Sequence, residues 1–206
     1  MNGLATGCDV LIAAAGESTR MGRCKALLEF GESTFIQTLV TGYKKAGFEH
    51  IWVTVPEGDD GERVSQHLTD TAICLPNQYP ARGLHGSVLT FLAHSHSNSN
   101  FLMTPIDSPF VFPALIKELR CRLAEKQPAH LPSVALPTFK GQRGHPAVFS
   151  SGCRTLFQRF DTPRDVIDHI GNHILEVETT HHEVLLNIND PASYKKLLGS
   201  SQDVFN

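Results

Sequence analysis

The 206-residue chain is expected to fold as a single α/β domain, a mostly parallel twisted sheet flanked by helices. Three observations predict it. Apolar runs of strand length recur along the chain, helix-like patterns separate most of them, and a polar glycine-containing loop follows the first run. A chain of this size with 41% hydrophobic residues can fill one sizeable core.

The strand-length runs are CDVLIAA (8–14), HIWVTV (50–55), TAICL (71–75), FLMTPI (101–106) and SVALPTF (133–139). Helices are expected over 34–46, 61–68, 87–94 and 113–124. Phe35, Leu39 and Tyr43 in the first, and Leu115, Leu119 and Leu123 in the last, repeat at helical spacing and should face the core. HSHSNSN (94–100) reads as a solvated loop rather than a metal site for its two histidines. The last third changes character, with GQRGHPAVF (141–149), short helical stretches near Thr155 and after Thr162, and ILEVETT (174–180). That is too little for a second core. It should extend the same sheet and close over one edge of a site, since ligands of open α/β sheets gather outside the carboxyl ends of the strands.

A formal charge of −3 and a pI near 6.4 argue against a surface built for nucleic acid or anionic lipid, and fit small anions held in a local basic pocket. Cys8, Cys24, Cys74, Cys121 and Cys153 are an odd, widely spaced set without zinc-ligand or redox-motif spacing. They read as free thiols of a reducing cytoplasm. The apolar run 10–15 is short, follows Asp9 and lacks a preceding basic residue, unlike a signal peptide. No segment approaches the roughly 20 apolar residues that cross a membrane.

The strongest local signal is AAAGESTRMGRCK (13–25). Gly16 and Gly22 let successive amides turn inward, while Arg20 and Lys25 bring mobile positive charge to the same loop, which suits a triphosphate. The alternative is an ordinary polar connection. A P-loop is excluded because Arg23 and Cys24 separate Gly22 from Lys25, and the dinucleotide fingerprint because it wants three closely spaced glycines. Asp107 ends an apolar strand just before Ser108 and Pro109, which suits either a turn or a carboxylate projecting from the strand's carboxyl edge.

These residues carry a resemblance. The loop resembles the pattern Leu-Ala-Ala-Gly, three residues, Arg-Met-Gly, two residues, Lys of the MobA-like nucleotidyltransferases, which include molybdenum cofactor cytidylyltransferases and guanylyltransferases; Ala13 stands in place of the leucine. LLEFGESTFIQ (27–37) is similar to the family's lysine-following segment, GLHGSV (83–88) to its second nucleotide loop and DSPFV (107–111) to its metal aspartate motif. GQRGHPAVF (141–149) and DTPRDVI (161–167) resemble acceptor-side motifs of the cytidylyltransferase branch.

The resemblance implies a Rossmann-like nucleotidyltransferase fold in one domain over 1–206, with a nucleotide-binding part near 8–111 and an acceptor-side part near 133–198. It implies Arg20, Lys25 and Asp107 as catalytic residues, and Ala14, Ala15, Gly16, Ser18, Gly22, Gly83 and Ser87 as nucleotide-binding ones. Arg143, Gly144, His145, Pro146 and Arg164 would face the acceptor, with Asp161 framing the same side, and Asp107 and Asn189 would hold Mg2+. The chain departs from the cytidylyl pattern at NINDPASY (187–194), where Asn187 and Asn189 replace aspartates, as they do in guanylyl-type relatives. Asn187 or Asp190 would alternatively cap a helix starting near Pro191. Arg20 or Arg23 would lower the pKa of Cys24 unless that thiol merely fills space under the loop.

The implied activity is transfer of CMP from CTP to the terminal phosphate of molybdopterin, releasing pyrophosphate. A phosphate monoester is largely a dianion at neutral pH, so no general base is needed. The implied partners are therefore a nucleoside triphosphate and a phosphorylated small molecule, with no nucleic acid and no membrane. The alternatives are GMP transfer, another acceptor such as a sugar phosphate or methylerythritol phosphate, or a nucleotide- or cofactor-binding module with little turnover. The methylerythritol branch has proline before the lysine and glutamine after it, where this chain has Cys24 and Ala26. Ala15 is the position that separates CTP from GTP by resemblance, since guanylyl relatives carry glycine there; otherwise it packs under the sheet edge.

Overall fold

The computed structural model describes residues 7–16, 21–95, 98–126 and 131–200. Strand β1 (Cys8–Ala13) lies inside an eight-stranded sheet. A small hairpin follows, β2 (Glu29–Phe30) and β3 (Ser33–Thr34), turning at Gly31 with φ 62°. Helix α1 (Phe35–Lys45) starts at a reciprocal cap: the Gln37 amide donates to the Thr34 hydroxyl, and the Gln37 side chain accepts from the Thr34 amide. Next come β4 (Ile51–Val55), α2 (Asp59–His67), β5 (Ile73–Pro76), α3 (Gly83–His94) and β6 (Asn100–Pro105). The remainder is α4 (Pro113–Lys126), β7 (Val134–Phe139), β8 (Gln142–Arg143), β9 (Ala147–Phe149), α5 (Pro163–Ile170), β10 (Ile174–Glu178) and α6 (Pro191–Ser200).

The sheet order is β10-β7-β9-β6-β1-β4-β5, with β8 paired to β7. Pairing is parallel except for β9, which runs against both β6 and β7, and the short β8. From β1 the chain moves outward through β4 and β5, then returns to place β6 on the other flank of β1. That reversal opens a crevice between β1 and β6 at their carboxyl ends, the usual ligand position of such sheets. The expected extension of the sheet by the last third is found in β8, β9 and β10.

Alternation along the strands divides the core in two. Val10, Ile12, Leu102 and Ala135 face one cluster, with Leu39 of α1, Leu119 of α4 and Val64 of α2. Leu11, Phe101, Met103 and Leu136 face the other, with Phe91 of α3 and Val166 of α5. Each fully buried Phe or Leu contributes roughly 1.5–3 kcal/mol. Helices therefore cover both faces of the sheet, as its largely apolar strands require.

Two expectations need correction. GLHGSV is not a loop before a helix at 87: α3 begins at Gly83, because a 3-10 turn over Pro80–Arg82 leads directly into it. HSHSNSN is solvated only in part where it is described: Asn98 is exposed and His94 half-buried, but Ser95, Ser99 and Asn100 are buried. The Ser99 hydroxyl donates to Asp9 (3.2 Å), Arg154 donates to the Ser95 hydroxyl (3.1 Å), and the Asn100 carbonyl accepts the Ser151 amide (3.0 Å). Satisfied polar groups are tolerated in the interior, and polarity alone did not signal exposure. His96 lies outside the described residues.

Candidate active site

Parallel pairing brings Ala13 opposite Pro105, so the chain leaves β1 and β6 side by side. The Ala14 amide donates to Thr54 (3.0 Å) and the Ile106 amide to Ala13 (3.0 Å), which carries both exits one residue beyond the strands. Ala14 is buried, Ala15 half-buried and Gly16 exposed at the crevice mouth. Gly22 adopts φ 66°, a left-handed conformation that suits glycine, before a 3-10 turn presents Lys25. Arg20 and Ser18 lie outside the described residues.

Lys25, Asp107 and Asn189 converge there. The Lys25 ammonium donates to Asn189 Oδ1 at 2.6 Å and lies 3.9 Å from Asp107 Oδ2. Asn189 is delivered by the segment after β10, which is anchored where the Ile188 amide donates to the Asp107 carbonyl (2.7 Å). Asp107 Oδ1 is buried with no hydrogen-bond partner among the described residues. The Asn189 oxygen accepts the lysine, and Asp190, not Asn187, caps α6: its carboxylate accepts the Ser193 amide at 2.8 Å. Tyr194 closes this segment over the hairpin by donating to the Glu29 carbonyl (2.9 Å) and packing against Phe35.

The 140–146 segment reaches the same edge because it links β7, ending there, to β9, starting there. The Gly144 amide donates to Pro137 and the His145 amide to Val184, both at 2.8 Å. A Cβ on Gly144 would sit 2.4 Å from the Val184 carbonyl oxygen, so glycine is required for that approach. Burial pushes the His145 imidazole below its ordinary pKa, and the Asp107 carboxylate opposes that shift. His145 is thus placed within the field of Asp107, and Pro146 follows it, buried, through a cis peptide bond.

Arg143 is exposed and bound to Glu176 at 2.7 Å, so its charge is already partnered in this structure. Arg164 is exposed on the first turn of α5. Asp161 is bound instead to Arg82, a residue the sequence patterns did not single out although it directly precedes Gly83. That ion pair joins the amino end of α3 to the amino end of α5, both at the carboxyl edge of the sheet. Gly83 is exposed there with φ 54°, whereas Ser87, a turn further on, is buried at 2% exposure. Ser87 therefore packs inside α3 rather than standing open to a ligand.

Of the two readings of Cys24, its burial favours the thiol that fills space under the loop. Burial raises its thiol pKa, outweighing the nearby backbone amides and Arg63 that favour the thiolate. Cys24→Ser is accordingly expected to retain most activity in a turnover assay; complete inactivation with an unchanged circular dichroism spectrum would restore a thiol role.

A family model described as MobA-like NTP transferase domain matches residues 10–194. Among solved structures, the Rv0371c protein of Mycobacterium tuberculosis in complex with manganese superposes with a TM-score of 0.75 at 21% identity, covering 95% of this chain and 100% of that one. A nucleotidyl transferase from Methanothermobacter gives 0.75 at 20% identity, covering 97% and 100%. Molybdopterin-guanine dinucleotide biosynthesis protein A of Archaeoglobus fulgidus gives 0.69 at 14% identity, covering 92% and 96%. At these identities the likeness is one of fold. No curated protein sequence matches the chain.

Proposed function

The chain belongs to the MobA-like NTP transferase family and is a nucleotidyltransferase, and on that premise we propose that it transfers CMP from CTP to the terminal phosphate of molybdopterin, releasing pyrophosphate. The observation that carries the proposal is the meeting of Lys25, Asp107 and Asn189 at the β1–β6 crevice, contributed by segments up to 164 residues apart. In this reading, the nucleotide occupies the edge formed by the part near 8–111, and the acceptor the edge formed by the part near 133–198.

The residues present fit a divalent cation. Asp107 Oδ1 is a buried oxygen without a hydrogen-bond partner among the described residues, and Asn189 offers an amide oxygen on the same lysine that Asp107 Oδ2 approaches. Among the described residues no group of three or more His, Cys, Asp or Glu side chains could hold an ion by itself. Two protein oxygens suit Mg2+, which usually keeps waters and takes substrate phosphate oxygens; the manganese in the M. tuberculosis structure supports a divalent ion. When bound, the ion supplies positive charge to the triphosphate.

Lys25 holds the triphosphate after exchanging its bond with Asn189 for phosphate oxygens, and Arg20 adds a second cation. The acceptor arrives as a phosphate dianion. Its oxygen bonds to the α-phosphorus as the α–β bridging bond breaks, and pyrophosphate leaves with that electron pair. The protein's task is to align two polyanions and offset their charge. Arg143, Arg164 and the Gly144–His145–Pro146 turn serve the acceptor, with the neutral form of His145 favoured by its burial.

The test is pyrophosphate release from CTP, GTP, ATP or UTP with Mg2+ and molybdopterin. Release with CTP is expected. Release with GTP alone redirects the base assignment, and release with none of the four leaves a binding module. Ala15, half-buried beside the crevice, narrows the space for the base. We expect a CTP preference of about 10-fold to 200-fold from one methyl-sized contact, relaxed toward GTP by Ala15→Gly. Competition between the two nucleotides at matched Mg2+ measures it; an unchanged preference with lowered stability would assign Ala15 to packing alone.

A further inference from the structure

We propose that the buried pair Asn77 and Thr90 is a positioning device that sets the amino end of α3 for the nucleotide. This rests on the assignment of that helix end to nucleotide binding made above. Asn77 is 2% exposed and Thr90 fully buried. The Asn77 carbonyl oxygen accepts from both the Tyr79 amide (3.1 Å) and the Thr90 hydroxyl (3.0 Å), and the Thr90 oxygen accepts the Gln78 amide (3.1 Å). The Asn77 amide donates to Val55 at the end of β4 (2.9 Å). Two consecutive backbone amides of the turn are thereby held by two interior side chains, one on the strand side and one on the helix.

Gly86 adds a second restraint on the same helix face, four residues before Thr90. A Cβ there would lie 2.1 Å from the Tyr79 carbonyl oxygen, so the turn rests against bare helix backbone. The Arg82 amide then donates to that same Tyr79 carbonyl (3.0 Å), closing the 3-10 turn that leads into Gly83. The turn from Asn77 to Arg82 is thus tied to α3 and to the end of β4 by polar bonds in the interior, where an unmade bond is costly and the geometry is correspondingly well specified. A loop held only by apolar contacts would tolerate sliding; this one does not. Asn77 and Thr90 act through the turn and touch no ligand.

Thr90→Val removes the hydroxyl and leaves the Gln78 amide without its acceptor. The expected result is a five- to twentyfold weaker dissociation constant for Mg·CTP by calorimetry, together with faster hydrogen exchange at the Gln78 and Tyr79 amides. Thr90→Ser, which keeps the hydroxyl, should restore both. Leu119→Ala, a core variant in α4, should lose stability without weakening the nucleotide. Should Thr90→Val fail to fold, Asn77→Ser shortens the other partner while leaving α3 intact, and carries the same expectation. Binding within twofold of wild type in a folded variant whose turn amides exchange faster overturns the positioning role and leaves the nucleotide assignment standing. Unchanged exchange at those amides overturns the brace itself. Wild-type protein that binds none of CTP, GTP, ATP or UTP removes the nucleotide assignment first, and this role with it.

Discussion

Lys25→Ala is expected to lower turnover about a hundredfold or more, the scale of losing one preorganised charge-stabilising group. The side chain is 13% exposed and its ammonium is held by Asn189 at 2.6 Å with Asp107 near, so the charge is fixed in place before a triphosphate arrives. Its removal takes away a cation that no flexible surface lysine would replace at the same point. The fold should persist, because Asn189 is also anchored through its neighbour, the Ile188 amide on the Asp107 carbonyl. Steady-state pyrophosphate release gives the first result and circular dichroism the second. Near-normal turnover in Lys25→Ala would remove the lysine from the proposed chemistry.

Asp107→Ala should cost as much, for a different reason. Its carboxylate combines one oxygen near Lys25 with another that is buried and unpartnered among the described residues. Burying such an oxygen is unfavourable unless something occupies it in the working state. Deleting the carboxylate removes the charge proposed to hold Mg2+, so turnover should fall about a hundredfold or more. Stability should change little or even rise, since an unsatisfied buried oxygen disappears and the backbone bond to Ile188 remains. Asp107→Asn separates shape from charge: it keeps an oxygen at the site and should still lose most activity. Thermal melting with and without Mg·CTP checks the assignment, because wild type should gain stability from the ligand by mass action and both variants should gain less. A full shift in Asp107→Ala would sink the metal role.

Much of the fold was legible because its signals are local. The five apolar runs each hold a strand close to the expected limits, and the Leu115–Leu119–Leu123 stripe lies buried in α4. Boundaries failed where a local rule met a tertiary contact. Gly83 reads as a helix breaker in isolation, yet α3 begins there because the preceding 3-10 turn is pinned by Asn77 and Thr90. Ser95 and Ser99 read as solvent-facing, yet Arg154, 55 to 59 residues later, draws them into the interior.

The site divides in the same way. The family was readable from residue types and spacing in the loop of 13–25 and at the aspartate after β6, because backbone freedom, charge and a strand's exit are encoded within a few residues. The contact of Lys25 with Asn189 was not, nor was the burial that raises the Cys24 pKa, nor the pairing of Arg82 with Asp161 and of Arg143 with Glu176. By itself the sequence determined which elements form and which chemistry their ends can carry. Only the tertiary structure decided which side chains meet, because desolvation and ion pairing depend on distances across the sheet edge that no local pattern records.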